Sequence, residues 1–394
     1  MNKNKDRILY VLLLVVSISL VVIGSAIARR DAKIFTGQTG LITTRYIVKV
    51  DEVLGKDEHE IQMGPNMTMT ETKLKFSGIV LFGECKGEIV EAVQSYDTMT
   101  GRRPTPVQKG DWLFVYLTPE TTTEYYAGEF VRLKVLLPVA IIFFILLIVF
   151  AKFKGLSSIL ALGLSVLSIF VVFIPAILSG KNIYLWAILI CLYSIMITPF
   201  FIGGFNKKSI ASALGCIGGV TVAGVLTAIL NAVMKITGVV DEEAMMVSFI
   251  LEEPIDLRAI TFAAILIGAL GATLDVSMSI SSAMYETNEM HRGFDIKKLT
   301  NYGMNVGRDI IGTQISTLVL AYIGGSISVV LLLVAYQNSL MELLNLEIVI
   351  IELLQALIGG FTILFTIPAT ALVCGLMFTC HKQVKHSENK ISGS

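Results

Sequence analysis

The sequence predicts an integral membrane bundle of about eight helices, with a small β-barrel-like domain inserted between the first and second spans. Three observations carry this expectation. The 394 residues are 54% hydrophobic and only 16% charged, at a mean hydropathy of +0.74. Eight long stretches are nearly free of Asp, Glu, Lys and Arg, and between the first two of them lies a polar segment whose apolar residues alternate as in strands. Five cysteines scattered over the chain offer no disulfide framework or zinc spacing, so a disulfide-rich secreted domain is excluded along with a soluble enzyme. The 31 basic and 31 acidic residues cancel, which leaves no overall field to draw nucleic acid.

A spanning helix needs roughly 20 apolar residues at ~1.5 Å rise to cross ~30 Å of hydrocarbon. The runs that satisfy this are Ile8–Ala28, Val135–Ala151, Leu156–Gly180, Asn182–Asn206, Ser209–Met234, Ala259–Tyr285, Ile310–Met341 and Ile348–His381. They divide the chain into an N-terminal anchor (1–29), an external β-rich domain (30–134), a seven-helix bundle (135–381) and a polar tail (382–394). Lys and Arg stay on the cytoplasmic side of short loops. An inside N-terminus puts Lys3, Lys5, Arg7, Lys152, Lys154, Lys207, Lys208, Arg292, Lys297, Lys298, Arg308, Lys382, Lys385 and Lys390 together in the cytoplasm. The opposite loops carry Lys181, then Glu242, Glu243, Glu252 and Glu253, then Glu342 and Glu347. Both termini are therefore expected in the cytoplasm of a bacterial cell, with the chain in its inner membrane. Ala26-Ile27-Ala28 also fits a signal-cleavage site, but a 21-residue core followed by Arg29-Arg30 suits an uncleaved anchor better.

The segment from Arg29 to Lys134 reads as strands at Tyr46–Val53, Leu74–Val80, Glu88–Val93 and Trp112–Leu117. Gly64-Pro65, Gly83, Gly87, Pro104, Pro106 and Gly110-Asp111 punctuate it as turns. A small barrel of the oligonucleotide/oligosaccharide-binding or barrel-sandwich kind follows. Asp57-Glu58-His59-Glu60 reads as a solvated turn rather than a metal site, and Asn66-Met67-Thr68 is a glycosylation sequon by pattern only. The domain is read as an accessory that positions, caps or gates the bundle, with a protein partner as its possible ligand.

An ionisable residue inside a transmembrane helix costs ~2.5–3.5 kcal/mol on insertion scales and marks a site by default. Asp275 is that residue. Steps of three and four align Gly268, Ala272, Asp275, Ser279 and Ser282 on one face, which cannot face acyl chains. The seventh run opens with Asn301, Asn305, Arg308 and Asp309 and continues through Gly312, Thr313, Gln314, Ser316 and Thr317. The last has Gly359, Thr362, Thr366 and Thr370. Three such stripes predict one shared interior, with Asp275 either kept protonated by its apolar surroundings or paired with Arg308. Gly324-Gly325-Ser326 and Gly359-Gly360 with Pro368 are expected helix breaks of the kind that flank transporter sites. Small and hydroxyl residues also serve plain helix packing, the better reading for Gly215 and Gly219. Glu352, Lys235 and Asn231 read as rim residues. Glu286–Gly307, which includes His291, reads as an amphipathic helix on the cytoplasmic surface.

The run Gly268-Ala-Leu-Gly-Ala-Thr-Leu-Asp275-Val-Ser-Met-Ser-Ile-Ser-Ser-Ala-Met284-Tyr-Glu286 is followed by Asn305-Val-Gly-Arg308-Asp309-Ile-Ile-Gly-Thr313, Leu320-Ala-Tyr-Ile-Gly-Gly-Ser326 and Ile367-Pro-Ala-Thr-Ala371. Together these closely resemble the YibE/F family of bacterial multi-pass membrane proteins, over the chain from its first span onward. That resemblance implies topology and no particular substrate or activity. A fainter likeness to resistance-nodulation-division permeases and Sec secretion accessory subunits rests on the anchor, the external domain and positions Asp275, Arg308 and Thr313. This chain departs from those proteins in having seven later spans rather than five, and a single interior Asp. By analogy, proton-coupled work is implied. The expectation is a transporter or permease-like protein for an unknown small molecule or ion, with no cofactor and no metal. Its path would be centred on Asp275 with Ser279, Arg308, Asp309, Thr313, Gln314, Thr317 and Thr366. The competing expectation is an assembly or secretion accessory factor. No HExxH, GxSxG or P-loop pattern supports an enzyme.

Overall fold

The computed structural model describes residues 3–30, 44–64, 67–83, 85–97, 105–117, 125–239, 255–290, 295–336 and 339–391. The acidic loop from Asp241 to Glu253, the Pro65-Asn66 turn and His291-Arg292 lie outside them. The chain divides into two compact units, one of residues 35–146 and the other of 1–34 with 147–394.

The smaller unit contains a closed five-stranded barrel, β1 Thr44–Gly64, β2 Met67–Phe82, β3 Ile89–Asp97, β4 Trp112–Leu117 and β5 Tyr125–Phe130, in the order β1-β2-β3-β5-β4. Four strands coincide with the predicted runs. Tyr125–Phe130 was not expected, because six residues with a central Gly128 carry no clear alternation. β3 and β5 pair in parallel through Ala92 and Val93 with Tyr125 and Tyr126, which closes the cylinder. Inside it Val48, Val50, Phe76, Val80, Leu113 and Val115 are buried, as alternate positions of β1, β2 and β4 must be. Gln94 pins the chain ahead of β4: its amide donates to the Thr105 carbonyl at 3.1 Å and its carbonyl accepts from Val107 N–H at 3.0 Å. Gly83 and Gly110 take φ of +108° and +91°, the left-handed turns their sequence context calls for. Beyond the barrel β1 and β2 continue as a two-stranded ribbon to the Gly64–Met67 pair. Asp57-Glu58-His59-Glu60 therefore lies in exposed strand, not in a turn.

Tyr46, at the start of β1, shares a hydrogen bond of 3.5 Å with Cys85 Sγ. That contact, helped by burial, pushes its phenol up from 10.0 to about 12. The neutral phenol is the form the fold favours, so its contribution is complete below pH ~10 and is lost as pH rises from 10 towards 12. The phenolate absorbance lost in Tyr46→Phe is expected to titrate near 12, and Cys85→Ala to bring that transition down towards 10. A wild-type midpoint near 10 would show that the contact is not made.

The larger unit is helical. Its helices are α1 Lys3–Ala28, α2 Leu133–Ser168, which begins in the smaller unit, and α3 Ile174–Leu178, reached through a π-turn at Ile169–Phe173. Then follow α4 Ile183–Gly203, α5 Lys207–Val233, α6 Leu257–Met290, α7 Ile296–Gly325, α8 Ile327–Tyr336, α9 Leu340–Leu343 and α10 Glu347–Ile391. Among the described residues six helices are long and apolar enough to cross a membrane: Ile8–Ala28, Leu133–Leu178, Ile183–Gly203, Lys207–Val233, Leu257–Met290 and Glu347–Thr379. Two of the predicted runs fall within Leu133–Leu178. The backbone leaves helical conformation there at Lys152 (φ 52°, ψ −128°), and Gly155 lies so close to the Leu147 carbonyl that a Cβ would not fit. The chain bends sharply at the basic Lys152–Lys154 pair, where the two runs were expected to separate.

Three expectations are corrected. The amphipathic surface helix and the seventh run are not separate, because α7 passes unbroken from Ile296 through Asp309 to Gly325. Its internal Gly303 and Gly307 break nothing, being buried where Met284 and Ile367 close over them. The predicted break at Gly324-Gly325-Ser326 is present, since α7 ends at Gly325 and Ser326 is non-helical (φ −98°, ψ 8°). By contrast α10 runs without interruption through Gly359, Gly360 and Pro368. Gly359 there is a packing position for Leu318 of α7. Asn231 is not a rim residue but buried, with its Oδ1 unpartnered.

α5, α6 and α10 form the centre, with α4 against α5 and α6, and α7 against α10 and α6. The α5–α10 seam depends on glycine. Gly215 makes room for Thr370, and Gly219 for Thr366 and the Thr362 carbonyl. The three threonines are fully buried, and Thr362 and Thr366 donate back to Ile358 O at 2.6 Å and Thr362 O at 2.7 Å. A Cβ at Gly219 would overlap Thr366 Oγ1. Gly219→Val is therefore expected to lower stability in detergent by about 1–3 kcal/mol, the usual range for overpacking. Gly271→Ala, where a Cβ meets open space, should leave the melting temperature unchanged or raised. Equal melting of Gly219→Val and wild type would remove this seam from the account.

Candidate functional site

The site is built on α6, which has two polar faces. Thr273, Ser277 and Ser281 repeat every fourth residue and are buried. Each satisfies its hydroxyl on its own helix, Thr273 on Ala269 O at 2.7 Å, Ser277 on Leu274 O at 3.0 Å and Ser281 on Met278 O at 3.2 Å. Ser277 also meets Ser212 of α5, Oγ to Oγ 2.8 Å. The second face carries Gly268, Gly271, Asp275 and Ser279, all exposed, with Ala272 and Ser282 half-buried beside them. At 100° per residue it lies opposite the first. The division has a physical reason. A serine or threonine can return its proton to the carbonyl three or four residues back and so be buried, whereas a carboxylate has only acceptors and no such refuge.

The predicted stripe is thus a real face of one helix, but it turns away from the centre of the bundle. Among the described residues the Asp275 carboxylate has no hydrogen-bond or ion-pair partner. Arg308 does not reach it; the guanidinium donates instead to Asn305 Oδ1 of its own helix at 2.9 Å.

α7 lies along α6, with Gly303 against Met284 at one end and Tyr322 over Gly268 at the other. At ~1.5 Å rise per residue these anchors bring Asp275 about level with Thr313 and Gln314. Gln314 shares the inward face of α7 with Gly303, Gly307 and Leu318. Arg308, Asp309, Gly312, Thr313, Ser316 and Thr317 are exposed, and Thr313 and Thr317 back-bond to Ile310 O and Thr313 O at 2.8 and 2.9 Å. The structure therefore brings Asp275 to the depth of Thr313 and Gln314 along a polar flank of α6 and α7, with Ser279 one turn further along, about level with Asp309. Thr366 is not among them, because α10 turns it to α5.

Two features escaped the sequence reading. The Ser212–Ser277 bond joins hydroxyls whose separation, 65 residues, gives no local signal. The Glu347 carboxylate clasps the chain after α5, accepting from Thr237 and Gly238 N–H at 2.7 Å each and from Thr237 Oγ1 at 2.9 Å. Thr237-Gly238 just after α5 and the acidic Glu347 opening α10 could have suggested it.

Six long apolar helices, their flanks lined by exposed Leu, Ile, Val and Phe, define an integral membrane protein with one polar flank. A family model described as YibE/F-like protein matches residues 139–380, and the chain belongs to that family. No curated protein and no solved structure matches.

The two polar faces of α6 differ in access. In a chain whose native cysteines have been replaced, Ser279→Cys should react with a small water-soluble thiol reagent and Ser277→Cys should not. Equal labelling of both would sink the assignment of faces.

Proposed function

We propose that this protein is a permease-like transporter of the bacterial cell membrane, with both termini cytoplasmic and the barrel outside. Its path for an unidentified small molecule or ion follows the α6–α7 flank. One observation carries the reading: an unpartnered carboxylate, Asp275, stands halfway along an apolar helix, level with the polar Thr313 and Gln314 of its neighbour. A charge in that position costs ~2.5–3.5 kcal/mol, which is out of proportion for packing when the opposite face of the same helix packs with hydroxyls alone. Ser279, Thr313 and Gln314 supply acceptors and donors along the path, and Asp275 supplies the group that takes up and releases a proton or cation. Arg308 and Asp309 flank its cytoplasmic end. The orientation rests on the Lys and Arg of the short loops.

A second reading is favoured by the β1–β2 ribbon, which continues past the barrel with Val53 and Leu54 exposed. It is an accessory factor in which this ribbon docks a partner protein. One pair of variants separates the two. For the transporter, Asp275→Asn is expected to fold normally, lose coupled flux in proteoliposomes at least tenfold and fail to complement a deletion strain. The Val53→Ser/Leu54→Ser variant should then retain both. Full complementation by Asp275→Asn would end the transporter reading.

A further inference from the structure

A second concave surface lies on the other face of α6. Between α4 and α5 the described residues leave a groove of about 390 Å³, walled by Ile188, Ile195, Ile217 and Val225 and floored by Phe262 and Leu266 of α6. It runs from Tyr184 to Ile195 on α4 and from Ala228 to Ile217 on α5, twelve residues of each helix or ~16 Å at ~1.5 Å rise per residue. Its length and volume suit a single extended hydrocarbon chain. Gly224 keeps the groove open at mid-length, where a Cβ would make only ordinary contact, 3.8 Å from Phe262 Cζ and 4.0 Å from Leu266 Cδ2.

One end is polar. Tyr184 stacks on Phe262 with ring centroids 5.0 Å apart, and its hydroxyl sits beside the Asp256 carboxylate and the Arg258 guanidinium. Arg258 is exposed one helical turn from Phe262. Asp256 Oδ1 caps α6 through Arg258 N–H at 3.0 Å and Ala259 N–H at 3.3 Å, and the carboxylate also accepts from the Tyr184 hydroxyl, which fixes the anion at the mouth of the groove. An apolar slot with a cation and an anion together at its mouth complements a lipid whose headgroup carries both a phosphate and an ammonium.

We propose that the α4–α5 groove is a site for one zwitterionic phospholipid, with an acyl chain along Gly224, the phosphate on Arg258 and the ammonium on Asp256. The site is independent of the Asp275 path.

The test is native mass spectrometry of the full chain released from vesicles of equal phosphatidylethanolamine and phosphatidylglycerol. Wild type is expected to retain one phospholipid, enriched at least fivefold in phosphatidylethanolamine. Gly224→Leu fills the slot and should lower retention tenfold or more, and Ala228→Leu does the same from the polar end should the first variant fold poorly. Arg258→Gln and Asp256→Asn, the latter keeping the cap, should keep a lipid but lose the enrichment. Full retention by both filling variants overturns the site, as does loss of a dimer on filling, which would assign the face to a second copy. Retention in the vesicle's own lipid ratio by wild type overturns the headgroup assignment.

Discussion

The bundle depends on how hydroxyl groups are kept in a medium without water. In hydrocarbon a buried polar atom is best partnered within the protein, and most of the buried threonines and serines of the central helices find a partner on the preceding turn of the same helix, with Thr370 an exception. This lets Thr362 and Thr366 of α10 and Thr273 and Ser277 of α6 enter the core carrying their hydrogen bonds with them. Once satisfied, they behave as small, dense side chains. Glycines at Gly215 and Gly219 then let α5 come close enough to pack against α10 along its length. The central triad of α5, α6 and α10 follows, and α4 and α7 are added to its outside.

The same rule explains why Asp275 stands where it does. A carboxylate has no proton to return to its own helix, so it is excluded from the seam that Thr273 and Ser277, two residues away on each side, can enter. It is left on the flank with Gly268 and Gly271 before it and Ser279 after it. α7 lies along that flank and brings its own polar opening to the same depth. In this view the site is what remains after the self-satisfying hydroxyls have been used for packing, and it is identified by the one polar group that packing cannot absorb.

Much of this was legible in the chain. Apolar runs and basic loops located the long helices, and the bend at Lys152 fell between two of the runs. Alternation located four strands of the barrel, with Gly83 and Gly110 as its turns. Part of what failed has one cause, that glycine and proline were read locally. Gly359, Gly360 and Pro368 look like a break, yet α10 continues through them, and Leu318 of neighbouring α7 fills the space at Gly359. Gly324-Gly325 did become a break. Open space around the glycine does not separate the two cases, since Gly360 and Gly271 have it too and interrupt nothing. For the site, the stripe through Asp275 was readable as a face of α6, but its direction was not. Nothing local distinguishes the face with Ser277 from the face with Ser279, and only the pairing of Ser277 with Ser212, 65 residues away, decides it.

The two faces of α6 therefore set two different chemistries. Towards α4 and α5 its side chains are Phe262 and Leu266, large and apolar, and they floor the groove between those two helices. Away from them, at Gly271, Asp275 and Ser279, they are small or charged, and acyl chains there would meet a carboxylate they cannot solvate. A helix amphipathic in this sense, apolar on one side and polar on the other yet long enough to cross the bilayer, cannot be surrounded by lipid. It requires lipid on one side and something wet or polar on the other, and that asymmetry sets α6 apart from the other long helices.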